Sequence, residues 1–280
     1  MIGIIDVGGG LRDIYGAGVF DRLADDSVPI DYCIGVSAGS ANIASFVAKQ
    51  RGRNLPFYLD YPARREYMSA GNVLKKGSYL DLGYVYGTLS KDDGENPVDY
   101  DTMLNNPTRL VVVATDAETG EARYFEKSDA PRNDYRIFMA SSCLPVFCRP
   151  IEIDGHFYYD GGLSDPVPVQ KAFDDGCDKV ILILSKPLDA PTTGRRDAFG
   201  ARAIRGKYPN AAAALLTMAE KYRTGVELAL QFQKEGKLLL IAPDDTDGVK
   251  TLTKDPVLLK ALYDKGYADA GKAAAFCAGE

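Results

Sequence analysis

Five short, almost unbroken apolar runs limit the possible folds of this chain more than any other feature. They lie at 2–7, 31–36, 109–115, 179–184 and 238–242. A strand that is apolar along its whole length is covered on both faces, whereas a half-exposed strand alternates. Segments of helical spacing stand between the runs, at 14–23, 38–50, 135–142, 167–173, 209–234 and 253–277. Strands separated by helices are joined by crossovers and lie parallel. The expected fold is α/β, a three-layer sandwich around a mainly parallel central sheet. Two hairpins modify it. Residues 121–125 turn back on 109–115 through Thr119-Gly120, and 151–153 pair with 156–159 around Asp154-Gly155, a strong turn signal. The stretch 52–107 is rich in Gly, Tyr, Asp and Pro and reads as loops and small helices laid over the core, a candidate lid. No internal repeat and no linker composition is found, so one domain is expected.

The run at 31–36 leads straight into Gly35-Val36-Ser37-Ala38-Gly39. In a GxSxG sequence between strand and helix, the serine sits on a sharp turn that exposes its Oγ. Gly35 and Gly39 are small because that turn brings backbone against backbone. With 28 glycines in 280 residues, chance supplies roughly 0.1 such matches. The competing reading is an ordinary strand–helix turn with a capping serine.

A nucleophilic serine needs a base. The chain has one histidine, His156, placed just after a hairpin turn. It lies roughly 13 Å from Asp160 along an extended strand, too far for a His–Asp pair, and it reads as an exposed hairpin residue. A partly desolvated carboxylate can do the same work. Asp160 is the best candidate, because Gly161 and Gly162 after it allow a tight turn and a close approach.

The first run ends in Gly8-Gly9-Gly10-Leu11-Arg12, ahead of a helix. Backbone N–H groups in such a loop point at an anion, either a phosphate or the oxyanion of a tetrahedral intermediate. The dinucleotide pattern fails because Asp13 stands where the third glycine belongs, and no acidic ribose ligand follows the next strand. A P-loop fails because no Gly-Lys-Ser or Gly-Lys-Thr follows. The oxyanion reading requires the first two strands to be neighbours, with both loops at one carboxyl edge.

Taken together, these elements resemble the patatin-like phospholipase family: a glycine-rich loop, then GxSxG, then a distant Asp-Gly-Gly. Thr115-Asp116 with Thr119-Gly120, Ala140-Ser141-Ser142 with Leu144-Pro145, and Asp165 with Pro168 are also similar to family segments. The resemblance is continuous over about 1–185, and the remainder looks like the helical tail of bacterial single-domain members. It implies one domain over 1–280, with a catalytic core at about 1–185 and a helical C-terminal part at 186–280. It implies Ser37 as nucleophile, Asp160 as general base, and an oxyanion hole from Gly8, Gly9, Gly10, Leu11 and Arg12. It implies no metal and no organic cofactor, with phospholipids, lysophospholipids or other acyl lipids as substrates. One departure is Asp13, where members carry glycine. The expectation is that Asp13 caps the following helix and points away from the oxyanion. An acyltransferase on the same site, or a lipid-binding protein whose site Asp13 disables, are the alternatives.

Composition narrows the setting. The net charge is −6 and the pI about 5.0, which argues against a nucleic-acid partner and against permanent docking on anionic lipid; transient membrane-surface contact stays open. Five cysteines in no framework read as free thiols of a reducing compartment. Met1 to Asp6 has neither a basic region nor a cleavage site, so a cytoplasmic protein is expected. Asp244 to Gly248 fails as a calcium loop, since Pro243 and Lys254 occupy its end positions. Arg195, Arg196, Arg202, Arg205 and Lys207 make a locally basic stretch, expected as exposed helix and loop.

Overall fold

The computed structural model describes residues 1–190 and 195–279, apart from the side chains of Arg195 and Arg196. The chain opens with β1 (Ile2–Asp6), α1 (Ile14–Asp25), β2 (Tyr32–Val36) and α2 (Ala38–Val47). Four short helices follow: α3 (Leu55–Leu59), α4 (Ala70–Lys76), α5 (Leu82–Tyr84) and α6 (Tyr100–Asn105). Next come β3 (Arg109–Asp116), β4 (Ala122–Glu126), α7 (Arg136–Ser141), β5 (Ile151–Ile153) and β6 (His156–Asp160). The last third holds α8 (Val169–Asp174), β7 (Lys179–Ile183), α9 (Arg195–Ile204), α10 (Pro209–Lys234), β8 (Leu238–Ile241), α11 (Pro256–Asp269) and α12 (Ala273–Ala278).

The eight strands among the described residues form one sheet, with neighbours in the order β5-β6-β3-β2-β1-β7-β8 and β4 also on β3. The stretch from β3 to β8 is parallel throughout. Alternate residues of each strand enter opposite cores. Ile4, Cys33, Val112 and Ile181 pack with α1, α2, α7 and α11 on one face. Ile5, Ile34, Val113 and Leu182 pack with α8 and α10 on the other. This is the expected three-layer sandwich. The C-terminal part is not only helical, because β8 extends the sheet beside β7, as the apolar run at 238–242 required.

The registers on β3 matter most for function. Val111, Val112 and Val113 pair with both β2 and β4. Ala114 and Thr115 pair with both β4 and β6. A strand has two edges, so β4 occupies one of them and β2 and β6 share the other. Val36 is opposite Val113 and Asp160 is opposite Ala114. The carboxyl ends of β2 and β6 therefore meet end to end along one edge of β3.

Two expected boundaries moved. The helix expected over 38–50 ends at Val47, because Lys49 turns the chain with φ 56°. The helix expected over 253–277 is two helices with a tight turn at Ala270–Lys272 between them. The segment 52–107 does consist of small helices and loops. Among the described residues, no helix is long and apolar enough to cross a membrane.

Candidate active site

Ser37 stands between the last residue of β2 and the first of α2 with φ 55° and ψ −130°. That is a rare region for a residue with a Cβ, and it stores roughly 1–3 kcal/mol of strain. The turn is held in place around it. The Ser37 N–H donates to Ser141 Oγ at 2.9 Å, and Ser37 O accepts from Ser40 Oγ at 2.6 Å and Ser40 N at 3.0 Å. A Cβ on Gly35 would lie 2.6 Å from Ser40 Cα, and one on Gly39 2.4 Å from Asp6 O, so both positions exclude any side chain. Ser37 precedes α2 but makes no side-chain capping bond. Its hydroxyl caps nothing and is turned toward Asp160 instead, which removes the capping-serine reading.

Asp160 ends β6 beside this turn. Its N–H donates to Cys143 O at 2.9 Å, and its carbonyl accepts from Thr115 Oγ1 at 2.7 Å. The segment from Ser141 to Cys143 thus ties the serine turn to the carboxylate. Gly161 passes so close to β3 that a Cβ there would lie 2.2 Å from Val113 O. Asp160 Oδ1 accepts the Gly162 N–H at 2.8 Å, while Oδ2 is buried without a hydrogen-bond partner. The side chain is 2% exposed. Burial raises its pKa to about 6, against the smaller opposing effects of Ser37 and the Gly162 N–H.

The glycine loop completes the group. β1 and β2 are parallel neighbours, with Asp6 opposite Gly35, so both loops leave the same edge. Gly8 has φ 71°, and a Cβ on it would lie 2.3 Å from Val36 O and 3.0 Å from Ser37 Cβ. Its carbonyl accepts from Ser185 Oγ at 2.5 Å and its N–H donates to Asp6 Oδ1 at 3.1 Å. The Leu11 N–H donates to Thr251 O at 2.8 Å and is not available to an anion. Arg12 turns its side chain to Ser185, with Nε 3.4 Å from Oγ. Among the described residues, the N–H groups of Gly9, Gly10 and Ala38 have no partner. Thr251 comes from the C-terminal part, and nothing in the sequence signalled its contact with this loop.

Asp13 corrects an expectation. It precedes α1 but forms no capping bond. Its carboxyl is fully buried, with Oδ2 accepting from Asn42 Nδ2 at 3.0 Å. The same Asn42 group donates to Asp6 Oδ2 at 3.0 Å, and Tyr58 holds the Asn42 carbonyl at 3.0 Å. Burial raises the pKa of both acids, and repulsion from Asp6 raises that of Asp13 further. A buried carboxyl beside a second one holds its proton more tightly, which works against a negative charge from Asp13 at the loop.

Ser37 and Gly10 open onto a cavity with about 1000 Å³ of empty space, its mouth included. One wall is the face of α2 formed by Ala38, Ala41 and Ala44; the segment 52–107 supplies Tyr58, Leu82, Val85, Val98 and Met103 opposite. That segment, expected as a cover, is the second wall of the cavity.

The other singled-out residues lie elsewhere. His156 is exposed, 4.0 Å from Asp116 Oδ2. Asp116 Oδ1 accepts the N–H groups of Glu118 and Thr119 and so closes the β3–β4 turn. Asp165 accepts from Tyr124 Oη at 2.7 Å. The cysteines are free thiols, four of them buried. Asp244 pairs with Lys265 in an exposed turn. Arg202, Arg205 and Lys207 lie in and after α9, while the side chains of Arg195 and Arg196 lie outside the described residues.

Comparison with known proteins gives the family and the fold. A family model described as patatin-like phospholipase matches residues 7–173, and a domain of unknown function, DUF6363, matches 208–275. The uncharacterized protein YjjU of Escherichia coli (strain K12) is 27% identical over 191 residues, covering 66% of this chain and 52% of that protein. The present chain thus spans about half the length of this curated relative. The crystal structure of VipD from Legionella pneumophila superposes with a TM-score of 0.50 at 13% identity, over 98% of this chain and 66% of that one. It is a match of fold.

Proposed function

Since the chain belongs to the patatin-like phospholipase family, a family of lipid acyl hydrolases, we propose that it cleaves acyl esters of lipids through Ser37 and Asp160. The observation that carries this reading is an uncapped serine hydroxyl on a strained turn, beside a buried carboxylate oxygen without a partner, at the mouth of an apolar cavity. Asp160 takes the Ser37 proton as Oγ attacks the ester carbonyl. The oxyanion is met by the free N–H groups of Gly9 and Gly10, with Ala38 at the positive end of the α2 dipole. Asp160 returns the proton to the departing alkoxide, which leaves as an alcohol or lysolipid. Water then attacks the acyl-serine, Asp160 again serving as base, and the fatty acid is released. The acyl chain lies in the cavity along α2. Membrane contact, if the substrate is presented in a bilayer, is transient, as the acidic balance of the chain suggests.

A site disabled by Asp13 is disfavoured, because that carboxyl is held against Asn42 and Asp6 rather than in the cavity. The test is hydrolysis of p-nitrophenyl butyrate and decanoate by the wild type, Ser37→Ala and Asp160→Asn, with a fluorophosphonate label on Ser37. Activity and labelling lost in Ser37→Ala, with its circular dichroism intact, is the expected result. Normal hydrolysis by Ser37→Ala would refute the assignment.

A further inference from the structure

The cavity is apolar beside Ser37 but not at its remote end. Behind the lining formed by Ala38, Ala41 and Ala44, α2 carries the buried Ser45, eight residues beyond Ser37, or about 12 Å at the rise of a helix. Ser45 Oγ accepts from Arg53 Nη1 at 3.0 Å, which places the guanidinium about that far along the α2 axis from Ser37. Arg53 lines the cavity. Its other bonds go to neutral acceptors: Nη2 to Ser90 Oγ at 3.0 Å and Asn96 O at 2.9 Å, and Nε to Pro97 O at 3.1 Å. A guanidinium has five donors, so one Nη1 hydrogen is left over. Among the described residues, no carboxylate pairs with Arg53. Desolvation lowers its pKa to about 10, which still leaves it charged at neutral pH.

A second observation is independent of the first. Tyr135 also lines the cavity and is 2% exposed, and its Oη is buried with no hydrogen-bond partner. A buried hydroxyl without a partner and a cation without a counter-charge are both unfavourable, and one ligand group relieves both.

We propose that Arg53 and Tyr135 form a polar subsite at the far end of the acyl cavity, selecting acyl chains that carry a carboxylate at the end distal to the ester. The free Nη1 hydrogen and the phenol O–H meet its two oxygens in charge-assisted bonds. A span of about 12 Å corresponds to an extended chain of about eight to ten carbons, with bonds near 1.5 Å in zigzag. A methyl terminus leaves both donors unmet, and sites built to hydrogen-bond a group discriminate strongly against analogues that lack it. The inference rests on the reading of Ser37 as the acyl-accepting nucleophile.

The experiment measures binding to the Ser37→Ala chain by calorimetry at pH 7.5, with methyl decanoate and monomethyl decanedioate as probes. The expected result is at least tenfold tighter binding of monomethyl decanedioate, with the ratio falling below threefold in Tyr135→Phe and in Arg53→Met added to Ser37→Ala. Arg53→Met removes four hydrogen bonds and can impair folding. Tyr135→Phe removes a hydroxyl with no side-chain partner and keeps the test decisive. Equal binding of the two esters, or a preference that survives Tyr135→Phe, overturns the subsite. Hydrolysis of p-nitrophenyl butyrate by the unmodified chain tests the nucleophile separately. Its absence counts against the hydrolase reading, whereas equal binding with that hydrolysis present counts against the subsite alone.

Discussion

Asp160→Asn is expected to remove activity and, at neutral pH, to stabilise the fold. In the folded chain the Asp160 pKa is raised from 3.8 to about 6, chiefly by burial. A raised carboxyl pKa means that the folded state binds its proton more tightly than the unfolded state. The associated stability is fully present below pH 4 and is lost as pH rises to about 6. Two units correspond to about 3 kcal/mol. Asparagine never ionises, keeps an oxygen for the Gly162 N–H, and escapes that loss. At about 0.6 kcal/mol per degree for a chain this long, the variant should gain about 5 °C in melting temperature on the wild type between pH 4 and pH 7. Any pH-independent effect, such as an unmet amide N–H where Oδ2 stood, cancels in that difference. The assay is a thermal melt of both proteins at pH 4 and pH 7, alongside hydrolysis of p-nitrophenyl butyrate, which should fall by roughly 10²–10⁴ on loss of the base. A melting difference that does not change with pH would refute the raised pKa and, with it, the reason Asp160 is basic enough to serve.

Four further outcomes follow from the same geometry. The pH profile of kcat/KM should rise with unit slope to about pH 6 and then level off, since only ionised Asp160 accepts the serine proton; an acid limb near pH 4 would show an unperturbed carboxylate. Gly8→Ala should cost roughly 3 kcal/mol or more in a denaturant melt and abolish hydrolysis, because its Cβ meets Val36 O at 2.3 Å. Gly155→Ala, at φ 84° in open space, should cost only about 1 kcal/mol. Asp13→Asn should keep activity within about threefold and gain in melting temperature on the wild type as pH rises above about 4, because it replaces a buried acid whose raised pKa lowers stability as pH rises; a large loss of turnover would show that the carboxyl itself acts on the loop.

Much of this arrangement is legible in the sequence because it is local. Strand β2, Ser37 and α2 are consecutive, so one GxSxG stretch specifies the turn, and continuous runs such as 109–115 announce strands covered on both faces. Hairpin pairing follows from Asp154-Gly155 for the same reason. What the sequence hides is contact between distant segments. Ser141 holds the Ser37 N–H across 104 residues. Thr251 takes the Leu11 N–H from the opposite end of the chain. Asp13 misleads because a polar residue before a helix has two uses with one sequence signature: capping the helix, or burial beside a partner. Only the position of Asn42 decides between them.

The registers on β3 connect these points into one argument. A parallel strand and an antiparallel strand share an edge of β3 and meet at Val113 and Ala114. Where two strands converge end to end, neither can continue, and each chain must leave the sheet. β2 leaves through the strained turn at Ser37 and β6 leaves through Asp160 into Gly161-Gly162. The same crowding excludes a Cβ at Gly161 and shields the Asp160 carboxyl from water, which raises its basicity. The strain at the serine and the desolvation of the acid thus have one cause, the collision of two strand ends. A substitution that shifted β6 along β3 by one residue would separate the pair and expose the carboxylate together.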